Sequence, residues 1–238
     1  MVESKIKFRA DMTVELINSM ASDSAVAMAA RVSTISGNHE AEVDAAKDAG
    51  LINYLMRDRH GSPFEHNAFT FYIEAPIFVF REFQRHRIAS YNEESGRYKQ
   101  LNPMFYVPKG TRDLVQVGKP GAYTFKPGSE KQQDMVFDAA IDVSREAYDK
   151  YEALLEGGVA REVARMVLPV NIYSSMYVTM NARALMNFLS LRTQREGTHF
   201  PSYPQREIEM CAEKMEDFFA EKMPLTYEAF NKNGRVAP

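Results

Sequence analysis

The chain contains one cysteine, Cys211, in 238 residues. That excludes an intrachain disulfide and a cysteine-based zinc cage, and it suits a reducing cytoplasm, the expected location. No stretch approaches the roughly 18 uninterrupted apolar residues of a membrane span, so no membrane association is expected. The opening run MVESKIKFRADMTVELI is charged and lacks the apolar centre of a signal peptide. A basic excess is missing as well. The net charge of −3 argues against a general nucleic-acid binder, and any positive site must be local. No GxGxxG stretch opens a βαβ unit, which disfavours a Rossmann dinucleotide site. His60 and His66 do not have metal-ligand spacing, so no metal is expected. Neither internal repeats nor low-complexity tracts occur.

What remains is ordinary for a globular protein, 45% apolar and 26% charged, long enough for one sizeable core or two small ones. SDSAVAMAARVS (22–33) reads as a short helix capped by Ser22 or Asp23. EAEVDAAKDAGLINYLMRDR (40–59) reads as a longer one, with Val43, Ala46, Leu51, Tyr54 and Leu55 on one face and Gly50 its weak point. In SPFE (62–65), serine, proline at the first helical position and glutamate form the pattern of a capping box. AFTFYIEA (68–75) alternates Phe69, Phe71 and Ile73 against Thr70, Tyr72 and Glu74, which is strand periodicity. Pro76 ends that strand and opens a helix, IFVFREFQRHR, with Arg81 and Arg85 on one face. Prolines and glycines through 101–128 predict a loop or hairpin excursion. A long amphipathic helix covers 130–156 and stops at Gly157-Gly158. A strand over 171–180 follows, then a helix capped by Asn181, and a last helix over about 205–222. Few strands, many helices and no regular βα alternation predict an α+β fold. The expected architecture is a single domain, 1–238, with long helices packed around a small, mostly antiparallel sheet.

The chemistry concentrates in FQRHRIASYNEESGRYKQ, 83–100. Cations in a helix's last turn complement its dipole, and that alone accounts for an RHR triplet. Here, however, Arg81, Arg85, Arg87 and Arg97 offer more forked donors than a helix end uses, and such forks fit phosphates and planar carbonyls. Ser90, Asn92 and Ser95 add neutral donors and acceptors, while Glu93 and Glu94 can hold arginines or accept from a ribose or base. This composition fits a nucleotide site.

RHR, seven residues, then Ser95, inside RHRIASYNEESGRY, resembles the signature of the flavin-dependent thymidylate synthases. HGSPFEH (60–66), APIF (75–78), VAREVARMVLPVNIY (159–173) and NARALMNFLSLR (181–192) resemble the same family, in its order and over both halves of the chain. The resemblance implies a homotetramer with FAD and dUMP bound where subunits meet. It further implies NADPH as reductant of the flavin, 5,10-methylenetetrahydrofolate as carbon donor, and dTMP and tetrahydrofolate as products.

It also assigns residues. FAD would meet His60, Ser62, Glu65, Arg85, His86, Arg87, Asn92, Glu93, Asn181, Arg183 and Asn187. The dUMP residues would be Glu82, Arg85, Glu93, Glu94, Ser95, Gly96, Arg97, Arg165 and Arg192, with Gly96 permitting close backbone approach. Arg192 is the expected catalytic residue. A guanidinium beside the uracil O2/N3 edge favours loss of the N3 proton and pushes electron density to C5. Ser95 has no evident histidine–carboxylate partner, so hydrogen bonding rather than nucleophilic attack is expected of it. Two departures stand out. Relatives often carry Arg-Gln before RHR, whereas this chain has Arg81-Glu82, and a carboxylate facing phosphate repels it. TQREGTHFPSYPQREIE also looks longer than in close relatives, which leaves the register of His199 open.

Three other readings compete. A nucleic-acid module would use the arginines for salt-sensitive binding. A non-catalytic flavoprotein would bind FAD without turning over dUMP. A folate-oxidising synthase would need an activated cysteine, whereas Cys211 lies on the apolar face of a helix with Ile208, Met215 and Phe219, where core packing is expected.

Overall fold

The computed structural model describes residues 5–33, 45–119 and 122–238. The chain gathers into two compact units. One holds residues 5–13, 74–83 and 93–176; the other holds 14–33, 45–73, 84–92 and 177–238. The strands β2 (Thr13–Ser19), β3 (Phe69–Pro76), β4 (Ser90–Glu93) and β8 (Tyr173–Met180) form a small antiparallel sheet in the order β2-β3-β8-β4. The mixed helix-and-sheet class is as expected. In β3, Phe69, Phe71 and Ile73 are fully buried while Thr70, Tyr72 and Glu74 keep surface, which is the alternation in the sequence.

In the first unit, β1 (Lys7–Arg9) pairs in parallel with β5 (Met104–Tyr106). The hairpin β6–β7 (Val115–Lys119 and Ala122–Lys126) is antiparallel, which is the excursion the glycines and prolines announce. Helix α4 runs Glu130–Glu156 and stops at Gly157. Ser129 and Gln132 close a reciprocal capping box at its start. Its inner face brings Tyr148 and Tyr151 onto Leu101, Phe105 and Ile172. The Tyr148 hydroxyl donates to the Leu101 carbonyl at 2.9 Å, and the Leu101 amide donates to the Tyr151 oxygen at 3.2 Å. These bonds pin the chain just beyond Ser95–Arg97.

The second unit is mostly helical. In α1 (Asp23–Arg31), Ser22 is the cap and accepts from the Ala25 amide at 3.1 Å. Helix α2 (Ala45–Arg57) buries Ile52, Leu55 and Met56. The expected face is corrected here: Ala46 and Tyr54 are exposed and Leu51 is half-buried, while Val43 lies outside the described residues. Asp48 sets the rotation, because its carboxylate is buried 2.6 Å from Arg31 and takes the helix's inner face with it.

Other expectations also change. SPFE is a four-residue 3-10 turn, Ser62–Glu65, with Gly61 ahead of it and no side-chain cap. Pro63 stands second, and Glu65 is drawn to Arg183 instead of closing a capping box. Helix α3 (Ile77–Phe83) ends before Arg85, so Arg81 and Arg85 do not share a helical face. SYNE is an edge strand. The segment VAREVARMV holds the four-residue α5 (Arg161–Ala164) and a 3-10 turn over 165–167. Beyond α6 (Ala182–Arg192) and α7 (Arg206–Lys222), an additional helix, α8, spans Pro224–Lys232. Asp23 caps α8 from α1. Its carboxylate accepts from the Leu225 and Thr226 amides at 2.9 Å and from the Thr226 hydroxyl at 2.6 Å.

Candidate functional site

Helix α6 builds the site in the second unit. The Asn181 side chain accepts from the Ala184 amide at 2.9 Å. Buried Asn67 reaches the same helix start, accepting from the Ala182 amide at 2.7 Å while donating to the Phe64 carbonyl at 3.0 Å. With two of its opening amides satisfied, α6 begins at a fixed place. Leu185, Met186, Phe188 and Leu189 go to the core. Arg183, Asn187 and Arg192 are left along a cavity of about 530 Å³.

The opposite wall of that cavity is the RHR turn. The Tyr91 hydroxyl donates to the His86 carbonyl at 2.8 Å and holds the turn closed. The His86 ring meets Phe188 edge-on at 4.8 Å, and its Nε2 accepts from Arg192 Nε at 3.0 Å. Acceptance at Nε2 requires a neutral imidazole. Burial, with the Arg192 charge adding to it, pushes the His86 pKa down to about 4. Arg183 donates to Glu65 at 2.6 Å and to the Pro238 carbonyl. No ion pair or hydrogen bond joins the guanidinium of Arg59, Arg85 or Arg87 to another described residue, and all three line the cavity. Three uncompensated guanidinium groups around one hollow, in a chain of net charge −3, make a local anion site.

The structure thus gathers Glu65, Arg85, His86, Arg87, Asn181, Arg183, Asn187 and Arg192 on one cavity. His60, Ser62 and Asn92 are not on its wall. The His60 ring stacks on Tyr54 at 5.6 Å. The His199 backbone amide donates to the Gly234 carbonyl at 2.9 Å. The sequence reading missed Arg59, Asn67, Ala237 and Pro238. Arg59 carries a left-handed φ of 65°, a feature no residue pattern announces.

The remaining dUMP-assigned residues form a second group in the first unit. Glu82 lies half-buried on α3. The Ser95 carbonyl accepts from the Tyr98 and Lys99 amides at 3.0 and 3.2 Å, turning the chain tightly after β4. Gly96 is buried under Arg165, whose Cδ would stand 3.2 Å from a Cβ placed there. The glycine therefore seats the stem of Arg165. Arg97 pairs with Glu162 at 3.0 Å. The Glu94 carboxylate accepts from Ser175 at 3.1 Å and faces Lys99 at 2.9 Å. Crowding by protein atoms raises the Glu93 carboxyl above its usual range, with neighbouring Glu94 adding to the effect and Ser174 and Arg165 opposing it. Among the described residues no helix is long and apolar enough to cross a membrane.

A cation-lined cleft beside a helix start, with neutral amides at its edge, has the chemistry of a nucleotide-binding protein. The family model for thymidylate synthase complementing proteins matches residues 15–225. The chain belongs to that family. The flavin-dependent thymidylate synthase of Streptomyces coelicolor is 60% identical, with 99% of this chain and 97% of that protein covered. That of Tropheryma whipplei is 58% identical over 97% of each. The crystal structure of the UMP/dUMP methylase PolB from Streptomyces cacaoi bound with 5-Br dUMP superimposes with a TM-score of 0.93. Its sequence is 53% identical, and the match covers 98% of this chain and 100% of that one.

Proposed function

We propose that the chain is a flavin-dependent thymidylate synthase that reductively methylates dUMP to dTMP. The uncompensated Arg59, Arg85 and Arg87 around the α6 cavity are the observation that carries this reading. They fit a pyrophosphate-bearing cofactor. Guanidinium forks neutralise phosphate, and Asn181 and Asn187 offer amides for a flat heteroaromatic edge. FAD held there supplies the hydride once NADPH has reduced it, and 5,10-methylenetetrahydrofolate supplies the carbon and leaves as tetrahydrofolate. Arg85, His86, Arg87, Asn181, Arg183 and Asn187 hold the cofactor; Glu94, Ser95, Arg97 and Arg165 hold the nucleotide. We take the working enzyme to be one domain over 1–238, assembled as a cytoplasmic homotetramer.

Arg192 acts at the pyrimidine. Its charge favours the N3-deprotonated ring, which raises electron density at C5. His86 acts on Arg192. As a neutral acceptor, it fixes the plane of the guanidinium without adding a second charge. The visible spectrum of the purified protein tests the reading. A flavin spectrum is expected that bleaches on anaerobic NADPH and shifts with dUMP. A colourless protein that FAD does not reconstitute, or one that binds DNA instead, overturns it. A flavin-loaded protein that forms no dTMP would be a non-catalytic flavoprotein.

A second reading concerns the sugar. PolB is described as a UMP/dUMP methylase, and its likeness to this chain extends over nearly the whole fold. The ratio of kcat/KM for dUMP and UMP measures how far this chain shares that tolerance of a 2′-hydroxyl.

A further inference from the structure

Residue 235 is an arginine where the backbone favours glycine. Its φ is 57°, directly after Gly234 at 70°, a region in which a side chain costs backbone energy. Such a cost persists only where the surroundings hold the residue in place. Arg235 is so held. It is 4% exposed and pairs with buried Glu216 of α7 at 2.6 Å. It also donates to Asn231 at 2.5 Å and to the Thr193 hydroxyl at 3.0 Å, and it lies 4.8 Å over the Phe230 ring. Glu216 is shared, because Arg195 donates to its second oxygen at 2.9 Å and the Tyr227 hydroxyl donates to it at 3.1 Å. From this anchor the chain grips α6 at both ends. Thr193 follows Arg192 directly, and its hydroxyl, while accepting from Arg235, donates to the Leu189 carbonyl at 2.7 Å. That ties down the turn that carries Arg192. Three residues past Arg235, the Pro238 carbonyl accepts from Nε of Arg183 at the start of α6. Glu65 holds Nη1 of the same guanidinium, so among the described residues Nη2 is left for a ligand of the cavity. Gly61 makes room for this meeting. A Cβ there would stand 2.6 Å from the Arg183 guanidinium and 2.8 Å from the Pro238 carbonyl oxygen.

We propose that Arg235, anchored by Glu216, is a positioning residue that sets the segment 235–238 along α6 and thereby holds Arg183 for the cofactor and Arg192 for the pyrimidine. The inference rests on the proposed function for what the two arginines touch. A long cationic side chain loses rotamer freedom when a ligand immobilises it, and a guanidinium already fixed by the protein spares the ligand that cost. The Arg235–Glu216 pair suits this role. A buried ion pair adds little net stability, because desolvation offsets its attraction, and what it supplies here is a single placement of the chain.

Two substitutions open one end each without touching the buried pair. Gly61→Ala displaces the Arg183 guanidinium from the Pro238 carbonyl. In titrations of the flavin-free protein it should raise the FAD dissociation constant about tenfold, the effect of one charged hydrogen bond. Thr193→Val keeps the shape and removes the hydroxyl. Turnover to dTMP at saturating FAD should fall about tenfold, while NADPH still bleaches the flavin. Thr193→Ser keeps the hydroxyl and should recover most of that turnover. Arg235→Lys keeps the charge but cannot reach Glu216, Asn231 and Thr193 together, and it should show both losses. Urea midpoints separate these effects from simple destabilisation. If Gly61→Ala and Thr193→Val only lower the midpoint, while the folded proteins bind FAD and turn over as the unmodified chain does, the segment is structural alone and the inference fails. It fails equally if only one end responds. An unmodified chain that binds no FAD removes the functional reading itself, before any variant is compared.

Discussion

At the last turn of α6, Arg192 donates through Nε to His86, and the imidazole is held neutral by its burial and by the same arginine. The bond fixes the plane of the guanidinium, which under the proposed function lies against a uracil edge. Arg192→Ala should lower dTMP formation by at least about 100-fold, the scale seen when one transition-state donor is removed. NADPH-driven bleaching of the flavin should persist, because that step does not involve the pyrimidine. Arg192→Lys restores charge without the planar fork and should recover only part of the rate. Methylation at the unmodified rate by the alanine variant would remove Arg192 from its role. Cys211 presents the opposite case. It is fully buried in α7, and burial pushes its thiol up to about 12, with Lys214 opposing only weakly. Such a thiol is neither accessible nor ionised at neutral pH. Cys211→Ala should keep dUMP methylation and lose about 1 kcal/mol in urea unfolding, a packing loss. A folded, flavin-loaded Cys211→Ala protein without activity, or accumulation of dihydrofolate, would point to the cysteine mechanism instead.

Among the elements, α8 depends on a residue far away in sequence. Asp23 satisfies two amides and a hydroxyl at its start, so Asp23→Ala should cost about 2 kcal/mol in chemical denaturation, while flavin loading of the folded protein stays unchanged. An unchanged unfolding midpoint would show that water replaces the carboxylate. That contact also shows where the sequence stopped being informative. Strand β3, helix α4 with its glycine stop, and the Asn181 cap were legible because each is written in local periodicity or in one capping side chain. Helix α8 was not, because Pro224 reads equally as the end of one helix or the start of the next, and the cap that decides between them is on α1. Strand β4 escaped notice because SYNE is an edge strand with no apolar alternation. The rotation of α2 follows from a buried Arg31–Asp48 pair that hydrophobic pattern alone would place outside. The cavity residues recovered from the sequence, from Arg85 to Arg192, lie in motifs. Arg59, Asn67 and Pro238 carry no motif and become visible only when distant segments meet at α6.

For the molecule as a whole, the neutral His86 makes folding sensitive to mild acid. In the unfolded chain this imidazole titrates near its ordinary value of 6.5; in the folded protein it titrates at about 4. Between those two values the unfolded state binds the extra proton, so stability rises with pH across that window and falls as pH drops through it. Above pH 6.5 neither state is protonated and the contribution is flat; below about 4 both are, and the loss is complete. Protonation would also break the bond from Arg192, because a doubly protonated ring has no acceptor at Nε2, and it would set two cations against each other. Urea midpoints of the flavin-free protein, measured at one protein concentration from pH 7.5 to 4.5, should therefore decline from about pH 6.5 downward. His86→Gln keeps an acceptor that does not titrate, so its midpoints should decline less over the same range, although it starts from lower stability at neutral pH. If the two proteins lose stability in parallel, the acid sensitivity belongs to other groups, and His86 does not sit neutral against Arg192 in solution.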